Sequence, residues 1–174
     1  SLAPELIACG ADTVYLAEDP ALSIPLTATY AHVLADLIDA QKPEIVLFGA
    51  TSLGRDVAPR LAAWLKTGMM PEALALELDE SERLLLATNT LHCGGLLNTV
   101  ACPRSKHQIA TVRPGAYRVP AADKYREGQV ESVAVTIDEG DLTVQADAWK
   151  AGDSKNVDLA GARVIVAGGR GLGG

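Results

Sequence analysis

Glu44-Ile45-Val46-Leu47-Phe48-Gly49 is the segment that most limits the folds open to this chain. Its consecutive apolar side chains, bounded by Pro43 and Gly49, leave no polar face for solvent, so a strand here is buried on both sides. Helical spacing flanks it. Upstream, Leu26, Tyr30, Val33, Leu34, Leu37 and Ile38 mark one face of an amphipathic helix that Pro43 ends. Downstream, Val57, Leu61, Trp64 and Leu65 mark a second, with Pro59 placed in its first turn, where a missing N–H is tolerated. Thr13-Val14-Tyr15-Leu16 is an earlier β-rich run, and residues 1–9 read as the tail of a helix closed by Gly10. Strand, helix, strand, helix in this rhythm implies right-handed crossovers and a parallel sheet covered on both faces. The expected class is α/β.

After Gly68 the rhythm changes. Leu84-Leu85-Leu86-Ala87-Thr88 and Leu96-Leu97-Asn98-Thr99-Val100 flank a Cys93-Gly94-Gly95 turn and suit a hairpin or two strands at the sheet margin. Gln108 to Val112 is a further strand stopped by Pro114-Gly115, and Glu131 to Ile137 alternates with Val133, Val135 and Ile137 on one side. Asp153 to Asp158 is small and polar, a linker ahead of a last apolar run, Arg163-Val164-Ile165-Val166, which reads as a buried parallel strand. That run enters Ala167-Gly168-Gly169-Arg170-Gly171-Leu172, and a strand running into glycines brings backbone N–H groups close to a phosphate. The expected organisation is one domain over residues 1–152, with residues 153–174 a linker plus the first strand and glycine loop of a second, nucleotide-binding domain.

Composition removes several classes of function. The chain has 174 residues, 48% of them hydrophobic and 21% charged, which suits a globular domain with a normal core. No apolar run approaches the roughly 18 residues that span a bilayer, and no signal peptide opens the chain. A net charge of −7 with scattered acids disfavours nucleic acid or an anionic membrane as main partner. The three cysteines, Cys9, Cys93 and Cys102, have no metal-ligand spacing and are odd in number, the pattern of reduced thiols in the cytoplasm.

Residues suited to chemistry are few. Gly49-Ala50-Thr51-Ser52-Leu53-Gly54-Arg55-Asp56 sits between strand and helix, where a phosphate loop would lie, but Arg55-Asp56 replaces the Lys-Ser/Thr pair that grips phosphates and Mg²⁺. Two readings stand: a structural turn with Asp56 as helix N-cap, and a ligand contact. Arg55 is available to an acidic group on a partner domain. Arg113, at the end of the Gln108–Val112 strand, occupies the edge where α/β sheets bind ligands; tying down its own Pro-Gly turn is the other reading. His32, His92 and His107 lie in different elements, and adjacent His92 and Cys93 would point to opposite faces of an extended chain. No GxSxG, HExxH or SxxK occurs, so catalysis by this chain alone is not expected.

Taken in order, Gly49-Ala50-Thr51-x-x-Gly54-Arg55-Asp56-x-Ala58-Pro59-Arg60-Leu61-Ala62, Thr67-Gly68, Thr111-Val112-Arg113-Pro114-Gly115 and Gly168-Gly169-Arg170-Gly171-Leu172 resemble the alpha subunit of electron transfer flavoproteins. The resemblance runs from about Gly10 to the last residue. It implies a three-layer α/β/α domain with a mostly parallel sheet, of the kind shared with adenine-nucleotide α-hydrolases, joined to a beta subunit and to a separate domain that holds FAD. It also implies that the domain is chiefly scaffold in a carrier taking electrons from acyl-CoA or other dehydrogenases. By the same resemblance Arg170, flanked by Gly169 and Gly171, contacts FAD, and the rest of the flavin site lies beyond Gly174.

Two departures accompany it. Where the family commonly carries Arg-Pro-x-Tyr/Phe-Gly-Gly, this chain reads Thr90-Leu91-His92-Cys93-Gly94-Gly95, which keeps the glycine turn without the arginine and aromatic. The family's sheet also usually starts with a strand and helix upstream. Their absence would expose an apolar edge at which the chain is expected to dimerise or adapt. The competing reading is a free-standing adenine-nucleotide-binding module, supported by the doubly wound rhythm and the Gly49–Asp56 loop.

Overall fold

The structure, a computed structural model, describes residues 2–138, 140, 143–144, 159 and 161–173. The linker at 153–158 and the 152/153 boundary lie outside the described residues. Among the described residues, three α-helices, α1 (Ala3–Ala8), α2 (Thr27–Gln41) and α3 (Ser52–Trp64), accompany eight strands: β1 (Thr13–Ala17), β2 (Ile45–Gly49), β3 (Met69–Ala73), β4 (Ala75–Asp79), β5 (Leu84–Leu91), β6 (Leu96–Val100), β7 (Gln108–Val112) and β8 (Gln129–Val133). β1 pairs with β8 in parallel, β7 lies between β2 and β3 with both pairings parallel, and β4, β5 and β6 form an antiparallel ladder. This is the expected α/β class with mostly parallel strands.

The period of two along each strand decides the layers. Val46, Phe48, Met69 and Ile109 pack with Ala35 and Ile38 of α2 and with Ala58, Leu61 and Ala62 of α3. Their neighbours in sequence, Ile45, Met70 and Ala110, cluster instead with Leu76, Leu85 and Ala87 from the antiparallel ladder. The parallel sheet therefore has helices on one face and, under β7 and β3, a second sheet on the other. Leu61 and Ile109 are fully buried at the helix–sheet contact. Side chains of this size contribute roughly 1.5–3 kcal/mol each when fully buried. Buried alanines on both helices let their backbones come close to the sheet and to each other.

Polar staples fix the register between layers. The Gln108 amide accepts from the Leu85 N–H (2.7 Å) and donates to the Arg83 carbonyl (2.9 Å), so the first residue of β7 holds the start of β5. The buried His107 ring meets the Pro43 carbonyl, and the Thr67 hydroxyl donates to the His107 carbonyl at 2.6 Å. These bonds satisfy groups that would be costly to bury unpaired.

Several expectations hold and others are corrected. Gly10 closes α1 with a φ of 121°, and the hairpin around Cys93-Gly94-Gly95 is β5–β6. Pro59 lies well inside α3 and not in its first turn, because the helix begins at Ser52. β3 and β4 are two further strands, the first masked in sequence by Pro71 within it. The buried strand read over Arg163–Val166 does not form: Val164, Ile165 and Val166 are exposed and carry no ladder. A lone segment has no neighbour to accept its backbone hydrogen bonds, and apolar sequence alone does not make a strand. Among the described residues no helix is long and apolar enough to cross a membrane.

Candidate functional site at the carboxyl edge of the parallel strands

β2, β7 and β3 end together at Gly49, Val112 and Ala73, the edge at which open α/β sheets receive ligands. The chain leaves β2 through Gly49 and Ala50 and enters α3 directly. Thr51 is the N-cap, its hydroxyl accepting from the Gly54 N–H at 3.2 Å. Asp56, expected as the cap, instead stands exposed within the helix. The Thr51 side chain reaches the third helical N–H, which a residue inside the helix cannot do. Gly54 is a steric necessity: a Cβ there would lie 1.9 Å from the Gly49 carbonyl oxygen.

Three of the loop's donors are turned inward. Ala50 N–H donates to the Val112 carbonyl (2.7 Å), Gly54 N–H to Thr51, and Arg55 N–H to the Thr51 carbonyl (2.9 Å). Arg55 forms an ion pair with Glu72 at 2.8 Å, an acidic partner within the chain. Glu72 sits in a bulge of β3 with φ 50°, where the register slips between Met70 and Ala73. Its N–H donates to the buried Thr111 hydroxyl (2.8 Å), and the Asn89 amide donates to the Pro71 carbonyl (3.1 Å). Thus α3, β5 and β7 all hold one short bulge of β3, and the edge is braced by its own groups. Arg113 follows β7, with its N–H on the Ala73 carbonyl (3.0 Å) and its side chain exposed.

A cavity of about 730 Å³ lies between β1 and α2. It is lined by Tyr15, Tyr30, Val33 and Leu34 together with the acidic Glu18 and Asp19, and no basic residue lines it. A phosphate would meet carboxylates there. The other candidates lie apart. His32 is buried on α2 with its ring edge against Trp64 of α3, the centroids 5.1 Å apart. His92 and Cys93 are both exposed at the hairpin tip with positive φ, so they are not in the extended backbone assumed from sequence.

Gly169 is extended (φ −90°, ψ 167°) and precedes a single 3-10 turn over Arg170–Leu172, closed by the Leu172 N–H on the Gly169 carbonyl at 3.1 Å. A Cβ built at Gly169 or Gly171 would meet nothing within 4 Å, so this backbone is open to close approach by a bulky group. An exposed glycine turn of this kind fits the pyrophosphate of a dinucleotide, for which unhindered N–H groups are the requirement.

The fold and this edge define an α/β domain with a parallel sheet whose strand–helix loop is a capped turn. Residues 1–138 match the electron transfer flavoprotein domain, and the chain belongs to that family. It is 41% identical, over its whole length, to an electron transfer flavoprotein subunit alpha of Thermoanaerobacterium thermosaccharolyticum, of which it covers 52%. With 97% of the chain aligned it is 38% identical to the protein FixB of Rhizobium meliloti, covering 48% of that protein. With 98% aligned it is 33% identical to an acryloyl-CoA reductase electron transfer subunit beta of Anaerotignum propionicum, covering 53%. The chain spans about half the length of the curated relatives it matches.

Proposed function

We propose that this chain is the scaffold and docking domain of an electron transfer flavoprotein alpha subunit, part of an FAD-containing carrier between acyl-CoA or other dehydrogenases and an acceptor in the cytoplasm. The observation that carries this reading is the internally braced carboxyl edge, where the start of α3 and the bulge of β3 are tied to each other. The Ala50, Gly54 and Arg55 N–H groups are hydrogen-bonded within the chain, and Arg55 is held by Glu72. Such an edge supplies a rigid surface. With Arg55 engaged, Arg113 is an exposed cation at the strand ends suited to orient a beta subunit or a flavin domain. Catalysis is not assigned to this chain.

Residues 153–174 are read as the linker and opening glycine turn of the flavin domain. There Gly169 and Gly171 would let the FAD pyrophosphate approach the backbone, and Arg170 would offset its charge. When bound, FAD supplies the redox chemistry. In a complex of full family length, Arg170→Ala is expected to lower FAD retention while leaving the unfolding of this domain unchanged. Equal flavin content in variant and parent would remove the assignment of Arg170.

The nucleotide-module reading is tested on the chain itself by thermal shift with AMP, ADP and ATP. A ligand at 100 times its Kd stabilises by about 2.7 kcal/mol. No shift is expected. A clear shift with any of the three would reinstate that reading.

A further inference from the structure

The bulge in β3 holds one peptide unit between two side chains that can each reverse their hydrogen-bonding role. Met70 pairs with Ala110 and Ala73 with Val112, so Pro71 and Glu72 together oppose Thr111. The peptide that joins Pro71 to Glu72 presents its carbonyl to Asn89 of β5, whose amide nitrogen donates to it at 3.1 Å. It presents its N–H to Thr111 of β7, whose hydroxyl accepts at 2.8 Å. A hydroxyl both donates and accepts, and a carboxamide does so through its two ends. Thr111 and Asn89 are both buried, so these two groups decide which way the peptide points.

Two observations show that the present orientation is strained and that another is provided for. Glu72 has φ 50°, the left-handed region that side chains other than glycine rarely adopt. Asn89 Oδ1 is buried without a hydrogen-bond partner, a free acceptor beside the bulge. Turning the Pro71–Glu72 peptide through about 180° carries the φ of Glu72 from 50° to about −130°, which is ordinary extended backbone. The Glu72 N–H then meets Asn89, whose Oδ1 accepts it once the carboxamide turns that end forward. The Pro71 carbonyl meets Thr111, whose hydroxyl donates. One end of the carboxamide is engaged in either state, so the exchange is nearly even in hydrogen bonds. Pro71 suits the pivot: with its φ fixed at about −65°, extended and helical ψ are both allowed, roughly 180° apart.

We propose that the Pro71–Glu72 peptide is a two-state switch, poised between Asn89 and Thr111 and latched in its strained orientation by the ion pair of Glu72 with Arg55. The pair, 2.8 Å long and half-exposed at both ends, ties the left-handed residue to the start of α3. A carboxylate that takes Arg55 from Glu72 releases the strain, and the peptide turns. Such a carboxylate acts through its preference for one of the two states, as any ligand of a two-state element does. The switch goes beyond the docking reading above and does not depend on it.

The test is a set of single substitutions in the 174-residue chain, each checked for folding by thermal unfolding. Nitrogen relaxation dispersion of the parent is expected to show one exchange process shared by the Glu72 N–H, the Thr111 N–H and the Asn89 carboxamide. Glu72→Gly, which adopts positive φ without strain, should quench it. Glu72→Val removes the same carboxylate but resists positive φ, and should hold a flipped population about tenfold or more above that of Glu72→Gly. Arg55→Ala should raise the flipped population above the parent's. A crystal structure of Glu72→Val is expected to show negative φ at the substituted position and the Pro71 carbonyl on Thr111. Positive φ retained in that structure, equal exchange in Glu72→Gly and Glu72→Val, or exchange unaltered in Arg55→Ala would overturn the proposal. So would exchange at Glu72 in which the Asn89 carboxamide takes no part, because the flip passes its hydrogen bond from Nδ2 to Oδ1.

Discussion

Replacing Gly54 by alanine isolates the contact that joins β2 to α3. Two effects oppose each other. Gly54 lies in a helix without positive φ, so alanine should stabilise by about 1 kcal/mol through helix propensity and reduced unfolded-state entropy. Against this, the added methyl would lie 1.9 Å from the Gly49 carbonyl oxygen and 3.1 Å from its carbon. Those atoms are backbone at a strand end that is hydrogen-bonded to β7, so they cannot swing aside as a side chain would. Overpacking of a firm site costs about 1–3 kcal/mol and occasionally more, and an overlap this deep belongs at or beyond the upper end. The net expectation is a loss of about 2 kcal/mol or more, a fall in Tm of about 4–8 °C or more for a domain of this size. Gly49→Ala is the matched control, since its Cβ would meet only Thr51 Cγ2 at an ordinary 3.8 Å. Urea denaturation of parent and both variants reads the difference. A Gly54→Ala protein as stable as the parent, or more so, would refute the close-approach account.

Two further predictions follow from neighbouring geometry. Thr51→Ala removes the cap on α3 and should lower stability by about 1 kcal/mol in urea denaturation, with Thr51→Ser close to parent, whereas Asp56→Ala should change little; a larger effect at Asp56 would return the cap to that residue. In the β4–β5 turn, Asp79 has a pKa lowered from its ordinary 3.8, chiefly by the Ser81 hydroxyl and then by the Glu82 N–H. Because the folded value is the depressed one, the turn's contribution is complete above 3.8 and is lost as pH falls through the lower folded value. Amide exchange at Ser81 and Glu82, corrected for intrinsic rates, should therefore lose protection in that acid range. Protection unchanged down to complete protonation would contradict the assignment.

Elements whose cause is local were legible from sequence. β2, β7 and the two long helices follow from apolar runs and 3.6-residue spacing, and Gly10 and the Cys93–Gly95 turn from glycine punctuation. β4 carried a readable signal, the alternation Ala75-Leu76-Glu77-Leu78-Asp79. β3 did not, because Pro71 and the left-handed Glu72 belong to a bulge that exists only through Asn89, Thr111 and Arg55 from three other elements. The Arg55–Glu72 pair was likewise hidden by its separation along the chain. Thr51 was available as a cap by residue type, but Asp56 drew the assignment because both fit a helix start. The Arg163–Val166 run shows the converse limit: its composition is that of a strand, yet strand formation is a property of pairs.

The most direct measurement is the visible spectrum and FAD stoichiometry of the polypeptide at full family length, co-purified with its genomic neighbour. The account predicts a flavin spectrum with near-stoichiometric FAD in a complex of two different subunits. A colourless protein that purifies alone would contradict the carrier reading and leave Arg170 as a turn residue.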